Sequence, residues 1–171
     1  ILDFEKIVAE IAPETSIQVS EVEQMGDRPL CQCPLVIAED SILLRRMIDD
    51  ALSRAGFMNL TNFNNGREAW DYLSAIRNDS DLYKKVNLVI TDIEMPEMDG
   101  HRLTKLIKED ERLKKIPVII FSSLINDLMR IKGKELGADE QLSKPEIGHL
   151  VTVIDELLEK FRKEQGMDEE E

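Results

Sequence analysis

Between residues 35 and 161 the chain alternates short, unbroken apolar runs with longer stretches whose apolar side chains return every three or four positions. Leu35–Ala38, Asn87–Thr91 (NLVIT) and Pro117–Phe121 (PVIIF) suit strands covered on both faces. Leu60–Phe63 and Ala138–Leu142 are weaker strands, the first running into the turn signal Asn64-Asn65-Gly66. Between them the spacing predicts helices. Ser41 can cap one through about Arg54, with Ile42, Leu43, Met47, Ile48, Ala51 and Leu52 inward and Gly56 closing it. Arg67–Arg77 turns Ala69, Trp70, Leu73 and Ile76 to one side, and His101–Leu113 is amphipathic through Leu103, Leu106 and Ile107. Leu124–Leu136 stops at Gly137, and Glu146–Arg162 carries Ile147, Leu150, Val151, Ile154, Leu157, Leu158 and Phe161. Five strands alternating with five helices imply parallel pairing, right-handed crossovers and a sheet covered on both faces. Upstream, residues 1–12 place Phe4, Ile7, Val8 and Ile11 at helical spacing until Pro13. Residues 13–33, rich in Glu, Ser, Gln and Pro, read as a linker.

Composition narrows the function classes. In 171 residues, 42% hydrophobic content supports a real core and excludes wholesale disorder. The net charge is −13, from 22 Lys+Arg against 35 Asp+Glu. Much of it lies at the ends: residues 1–33 hold seven acids and two bases, and 164–171 hold five acids and no base. The middle is close to balanced, and the ends read as solvated tails. An acidic chain has no general field for nucleic acid, and no apolar run is long enough to span a bilayer. The chain begins at Ile1 without a leader, as expected of a fragment of a longer protein. Cys31 and Cys33 have no further Cys or His nearby to complete a metal site; they read as idle thiols, with a reducing cytoplasm as the default location. His101 and His149 lack ligand partners and read as solvated, Trp70 and Tyr72 as partly buried packing, and Asp99-Gly100 as a turn and helix cap.

In doubly wound sheets the functional crevice lies beyond the carboxyl ends of the strands. Here those ends carry Glu39-Asp40, Asp92, Ser122-Ser123 and Ser143-Lys144-Pro145. Three crowded carboxylates repel one another unless a cation sits among them, and an all-oxygen donor set suits Mg²⁺. A carboxylate can also attack phosphorus to give an aspartyl phosphate. The phosphoryl oxygens then need charge and donors, which Lys144 and the Ser122 hydroxyl supply.

These residues carry a family resemblance. Asp92-Ile93-Glu94-Met95-Pro96-Glu97-Met98-Asp99-Gly100 resembles the phosphoacceptor loop of response-regulator receiver domains, and Glu39-Asp40, Ser122 and Lys144-Pro145 match the rest of the pattern in order. The resemblance covers roughly 35–160. It implies a flavodoxin-like (CheY-like) five-stranded parallel sheet with five alternating helices, preceded here by the short helix and linker. It also implies Asp92 as phosphoacceptor, with Mg²⁺ held by Glu39, Asp40, Asp92 and the Glu94 backbone carbonyl. Lys144 would pair with the phosphoryl group, Ser122 would move toward it, and the Lys144–Pro145 peptide would be cis. The added charge would repack 124–136 and expose a different face to partners. Gln141 stands where family members often carry a switching aromatic residue.

The receiver segments, together with the leading LDFEKIVAEIAPETS, look like the CheV chemotaxis coupling proteins, a CheW-like adaptor followed by a receiver. On that resemblance 1–12 ends a truncated adaptor domain, 13–33 is the linker, 34–163 the receiver and 164–171 an acidic tail. The implied partners are a CheA-type histidine kinase and, through the adaptor, chemoreceptor-array proteins, with no nucleic acid and no membrane insertion. The only catalysis expected is self-phosphorylation and self-dephosphorylation. A phosphatase is disfavoured, because Asp92 is followed by Ile93-Glu94 rather than a second Asp and no capping insertion is present. The other alternative is a vestigial interaction module that takes up no phosphate.

Overall fold

The computed structural model describes residues 30–123, 125–144 and 146–166. The expected helix over 1–12, most of the linker, the end of the acidic tail, Leu124 and the Lys144–Pro145 peptide lie outside the described residues.

Five parallel strands form one sheet in the order β2-β1-β3-β4-β5. They are β1 (Leu35–Ala38), β2 (Leu60–Phe63), β3 (Leu88–Thr91), β4 (Val118–Ser122) and β5 (Glu140–Ser143). β1, β3 and β4 are buried along their whole length, as their unbroken apolar runs require. Alternation along β1 divides the core. Leu35 and Ile37 meet Ile48, Leu52, Leu150, Ile154 and Leu158 on one face. Val36 and Ala38 meet Ala69, Leu73, Leu103 and Ile107 on the other.

Six α-helices lie among the described residues: α1 (Ile42–Arg54), α2 (Gly66–Ile76), α3 (Leu82–Lys85), α4 (Gly100–Glu109), α5 (Asp127–Leu136) and α6 (Ile147–Gln165). Four begin on side-chain caps. Ser41 Oγ accepts from the Leu44 N–H, Asn65 Oδ1 from Glu68, Asp99 Oδ1 from Arg102 and Asn126 Oδ1 from Met129. The short α3 is an addition to the alternating pattern. α4 stops at Glu109 because Asp110 turns extended and its Oδ1 accepts the N–H groups of Arg112 and Leu113, opening a separate 3₁₀ turn at Leu113–Lys115. α5 starts at Asp127 rather than at 124 because Asn126 supplies the cap.

Three expectations need correction. Ile42, Leu43 and Met47 do not face inward: they are 59%, 69% and 51% exposed. The buried stripe of α1 runs through Ile48, Ala51 and Leu52, and at about 100° per residue Ile42 and Leu43 fall about a third of a turn from its centre. His101 is not solvated but buried, 5% exposed. Cys31 and Cys33 are not idle thiols but are joined by a disulfide. His149 is exposed, and Trp70 and Tyr72 are half-buried, as expected.

The ends of the strands opposite the candidate site are stapled. Lys108 Nζ on α4 donates to the carbonyls of Lys114 and Ile116 and pairs with Asp139 Oδ2 at 2.8 Å. The two outer strands, β2 and β5, are four residues each. Glu140 on β5 is exposed, and Asn62 on β2 donates to Asp49 at 3.0 Å. Among the described residues no helix is long and apolar enough to cross a membrane.

Candidate functional site

The strand ends converge as the sheet register dictates, with Ala38 opposite Thr91 and Ser122 opposite Ser143. Asp92, the first residue past β3, is anchored by its own N–H, which donates to the Ala38 carbonyl at 3.0 Å. Its Oδ1 accepts the Ile93 N–H at 2.7 Å, leaving Oδ2 3.1 Å from Lys144 Nζ. Glu39, the first residue past β1, accepts the Ser41 N–H on Oε2 at 3.1 Å, and its Oε1 lies 2.7 Å from Lys144 Nζ. Distance makes that an ion pair. Its angle, however, leaves the buried Oε1 without a hydrogen bond, and we take the pair as electrostatic with an acceptor to spare. Asp40 lies exposed on the rim, and one carboxylate oxygen from each of Glu39, Asp40 and Asp92 falls within 4.8 Å of the others. The N–H of Lys144 donates to the Ser122 carbonyl at 3.1 Å, and Ser122 itself is buried.

One ammonium therefore faces two buried carboxylates, with a third at the rim. Burial pushes the Glu39 carboxyl above its usual range, and the Asp92 charge adds to this against the opposing pull of the Lys144 ammonium and the Ser41 N–H. Burial pulls the Lys144 ammonium down, but its pairing with Glu39 and the charge of Asp92 outweigh that and raise it. The rise at Glu39 is chiefly a burial effect, and the rise at Lys144 reflects its two acidic partners. An all-oxygen donor set, the excess of negative charge and the spare Glu39 Oε1 fit a hard divalent cation better than they fit a thiophilic metal.

The loop after Asp92 is held by close approaches. The Gly100 N–H donates to the Ile93 carbonyl at 2.7 Å, and a Cβ on Gly100 would sit 1.8 Å from the Asp92 carbonyl oxygen. Glu97 takes a positive φ of 68°. Across the loop, the Gly66 N–H donates to the Met98 carbonyl. Asp99-Gly100 is thus the expected turn and cap, and Gly100 is also the residue whose missing side chain seats Asp92. That second role was hidden in the sequence because it depends on backbone proximity. Glu146 was also missed: its Oε1 accepts both the N–H and the hydroxyl of Ser143, at 2.9 and 2.6 Å, bracing the residue before Lys144. Glu94 follows Asp92 by two residues with its side chain exposed. Gln141 lies along α5: its Nε2 donates to the Arg130 carbonyl at 2.9 Å, and it packs where Gly133 has no Cβ.

Buried His101 is the second residue of α4, behind this loop, and its Nε2 has no hydrogen-bond partner. Burial and then the Lys132 charge hold its pKa below the usual 6.5, against the weaker pull of Asp99. The native state prefers the neutral imidazole, so the stability tied to it is present above 6.5 and is lost as pH falls from there toward the folded value. His101→Leu is expected to flatten the decline in urea-unfolding stability between about pH 7.5 and about pH 5.5. An equally steep decline in the variant would contradict this account.

The strand order and the carboxylate-and-lysine rim define a doubly wound α/β domain of flavodoxin-like type with its site at the carboxyl edge of the sheet. Residues 35–155 match the family model of the response regulator receiver domain, and the chain belongs to that family. It is 33% identical over 151 residues to chemotaxis protein CheV2 of Helicobacter pylori, covering 86% of this chain and 45% of that protein. It therefore spans about half the length of that relative. It is also 33% identical over 111 residues to chemotaxis protein CheY1 of the same organism, covering 65% of this chain and 84% of that one. Among solved structures, it resembles the signal receiver domain of a signal transduction histidine kinase from Syntrophus aciditrophicus. The TM-score is 0.64 at 31% identity, covering 74% of this chain and 90% of that one. Receiver domains are signalling modules rather than metabolic enzymes, and the relatives of this chain include chemotaxis proteins of the CheV and CheY kinds.

Proposed function

We propose that this chain accepts a phosphoryl group from a histidine kinase of the CheA type onto Asp92 and uses it to switch partner contacts in a chemotaxis system. The observation that carries this reading is the Glu39–Lys144–Asp92 arrangement, in which one buried ammonium is shared by two carboxylates beside a third acid. An Asp92 carboxylate oxygen attacks phosphorus as the donor's phosphorus–nitrogen bond breaks, and the donor imidazole keeps the electron pair. Lys144 Nζ already sits at the Asp92 side chain, where it can pair with the incoming phosphoryl oxygens. Ser122, at the end of β4, would turn its hydroxyl toward them. Glu39, Asp40 and Asp92 with the Glu94 carbonyl would hold Mg²⁺, which when bound offsets the negative charge of carboxylates and phosphoryl group. The new charge would then reposition α5 and the segment leading to it.

The chemotaxis reading draws on the CheV2 and CheY1 relatives. The CheV2 match covers more of the chain than the receiver model does. This supports reading 1–12 as the end of a CheW-like adaptor, 13–33 as a linker whose last residues pack onto the receiver, 34–163 as the receiver and 164–171 as a tail, working in the cytoplasm near chemoreceptor arrays.

Intact mass after incubation with acetyl phosphate tests the proposal. One phosphoryl increment per chain is expected with Mg²⁺ and none once the metal is chelated. No increment under either condition would return the chain to the vestigial interaction module.

A further inference from the structure

At the amino ends of the strands, opposite Asp92, Cys31-Gln32-Cys33 leads into β1. The strap is part of the packed body. The Cys31 N–H donates to the Gly56 carbonyl at 2.7 Å, and the Cys31 carbonyl accepts from Met58 at 3.0 Å. Cys33 belongs to the core, Cys31 is half-buried, and their Cα atoms are 5.5 Å apart in the disulfide. Two N–H donors point at the Cys31 sulfur: the Cys33 backbone N–H at 3.3 Å, and Arg162 Nη2 from the last turn of α6 at 3.4 Å. The same guanidinium nitrogen donates to the Cys33 sulfur. A fixed cation and a backbone donor aimed at a sulfur favour thiolate over thiol, and thiolate is the form that attacks disulfides. In the reduced pair the same two donors would remain within reach of the Cys31 sulfur.

We propose that Cys31 and Cys33 form a redox-reactive pair that exchanges with small-molecule disulfides, with Cys31 attacking, Cys33 resolving and Arg162 stabilising the Cys31 thiolate in the reduced form. The Cys31 thiolate attacks one sulfur of the incoming disulfide, whose S–S bond breaks to release one thiolate and leave a mixed disulfide. Cys33 then loses its proton and attacks the Cys31 sulfur, closing the 31–33 bond and releasing the second thiolate. The protein pair is oxidised by two electrons and the small disulfide reduced by two. The two protons given up by the cysteines end on the two released thiols.

The test is intact mass of the fully reduced chain exposed to oxidised glutathione at neutral pH and quenched in acid. The wild type is expected to lose two hydrogens and retain no adduct, and Cys33→Ser to retain one glutathione, on Cys31. Cys31→Ser, left with only the buried thiol, should react at least roughly tenfold more slowly. In the Cys33→Ser background, Arg162→Gln should slow adduct formation by roughly tenfold while Arg162→Lys keeps most of the rate. A reduced wild type that neither loses hydrogens nor gains an adduct would overturn the proposal. So would adduct formation that proceeds equally fast with Arg, Lys or Gln at position 162.

Discussion

Asp92→Asn is expected to take up no phosphoryl group from acetyl phosphate, a loss of at least roughly a hundredfold in incorporation rate, while the domain stays folded. The amide keeps the side-chain volume and an oxygen to accept the Ile93 N–H that now binds Asp92 Oδ1. Lys144 keeps Glu39 as its partner. What disappears is the anionic oxygen that attacks phosphorus. Urea unfolding should change by no more than about 1 kcal/mol, which separates a chemical defect from a structural one. Incorporation at the wild-type rate would remove Asp92 from its role and turn attention to Glu39 and Asp40 as acceptors.

The second large effect is on stability. Lys144→Ala leaves Glu39 and Asp92, whose side chains are 2% and 10% exposed, facing each other without a cation. Removing one partner from a buried ionic group costs about 3 kcal/mol or more, because the remaining charge stays desolvated. Urea unfolding without divalent metal should show that deficit near neutral pH. The sign of its pH dependence follows from Glu39. Its carboxyl is raised in the folded state, chiefly by burial, so protonation favours the folded state, and the benefit is lost as pH rises through the folded value. The deficit of Lys144→Ala should therefore shrink as pH falls and Glu39 takes up a proton. Adding Mg²⁺ should restore more stability to the variant than to the wild type, since an ion that binds only the folded state stabilises by mass action. A pH-independent loss below about 1 kcal/mol would show that the two carboxylates are better solvated than their burial indicates.

Much of this architecture could be read from side-chain order alone, because β1, β3 and β4 are buried on both faces and so write themselves as unbroken apolar runs. The residues at their carboxyl ends then had only one rim on which to meet. Glu39, Asp40, Asp92 and Lys144 do meet there, since parallel pairing in register leaves them no other place. What escaped depends on rotation and proximity. Periodicity lists the apolar residues of α1 but does not say which stripe of the helix the sheet takes, so it puts Ile42, Leu43 and Met47 on the wrong side. His101 is polar by type and buried by position, a tertiary fact with no local signature. Gly100 carries a turn signal that conceals its closeness to the Asp92 carbonyl. Arg162 is 129 residues from Cys33, and nothing in the order of the chain hints that a guanidinium from the last helix would reach the strap before the first strand.

The borders of the sheet bear on how this molecule can be recognised. Each outer strand is only four residues long; one displays the exposed carboxylate of Glu140, and the other is crossed by the Asn62–Asp49 bond. Short, polar borders give a foreign strand little ladder to extend, so neither fibrous stacking of copies nor capture of an extended peptide along the sheet is favoured. Among the described residues, the helical flanks and the loops at the rim are the surfaces left for contact with another protein. On the proposed function, those are also the surfaces that a charge placed at Asp92 would reshape.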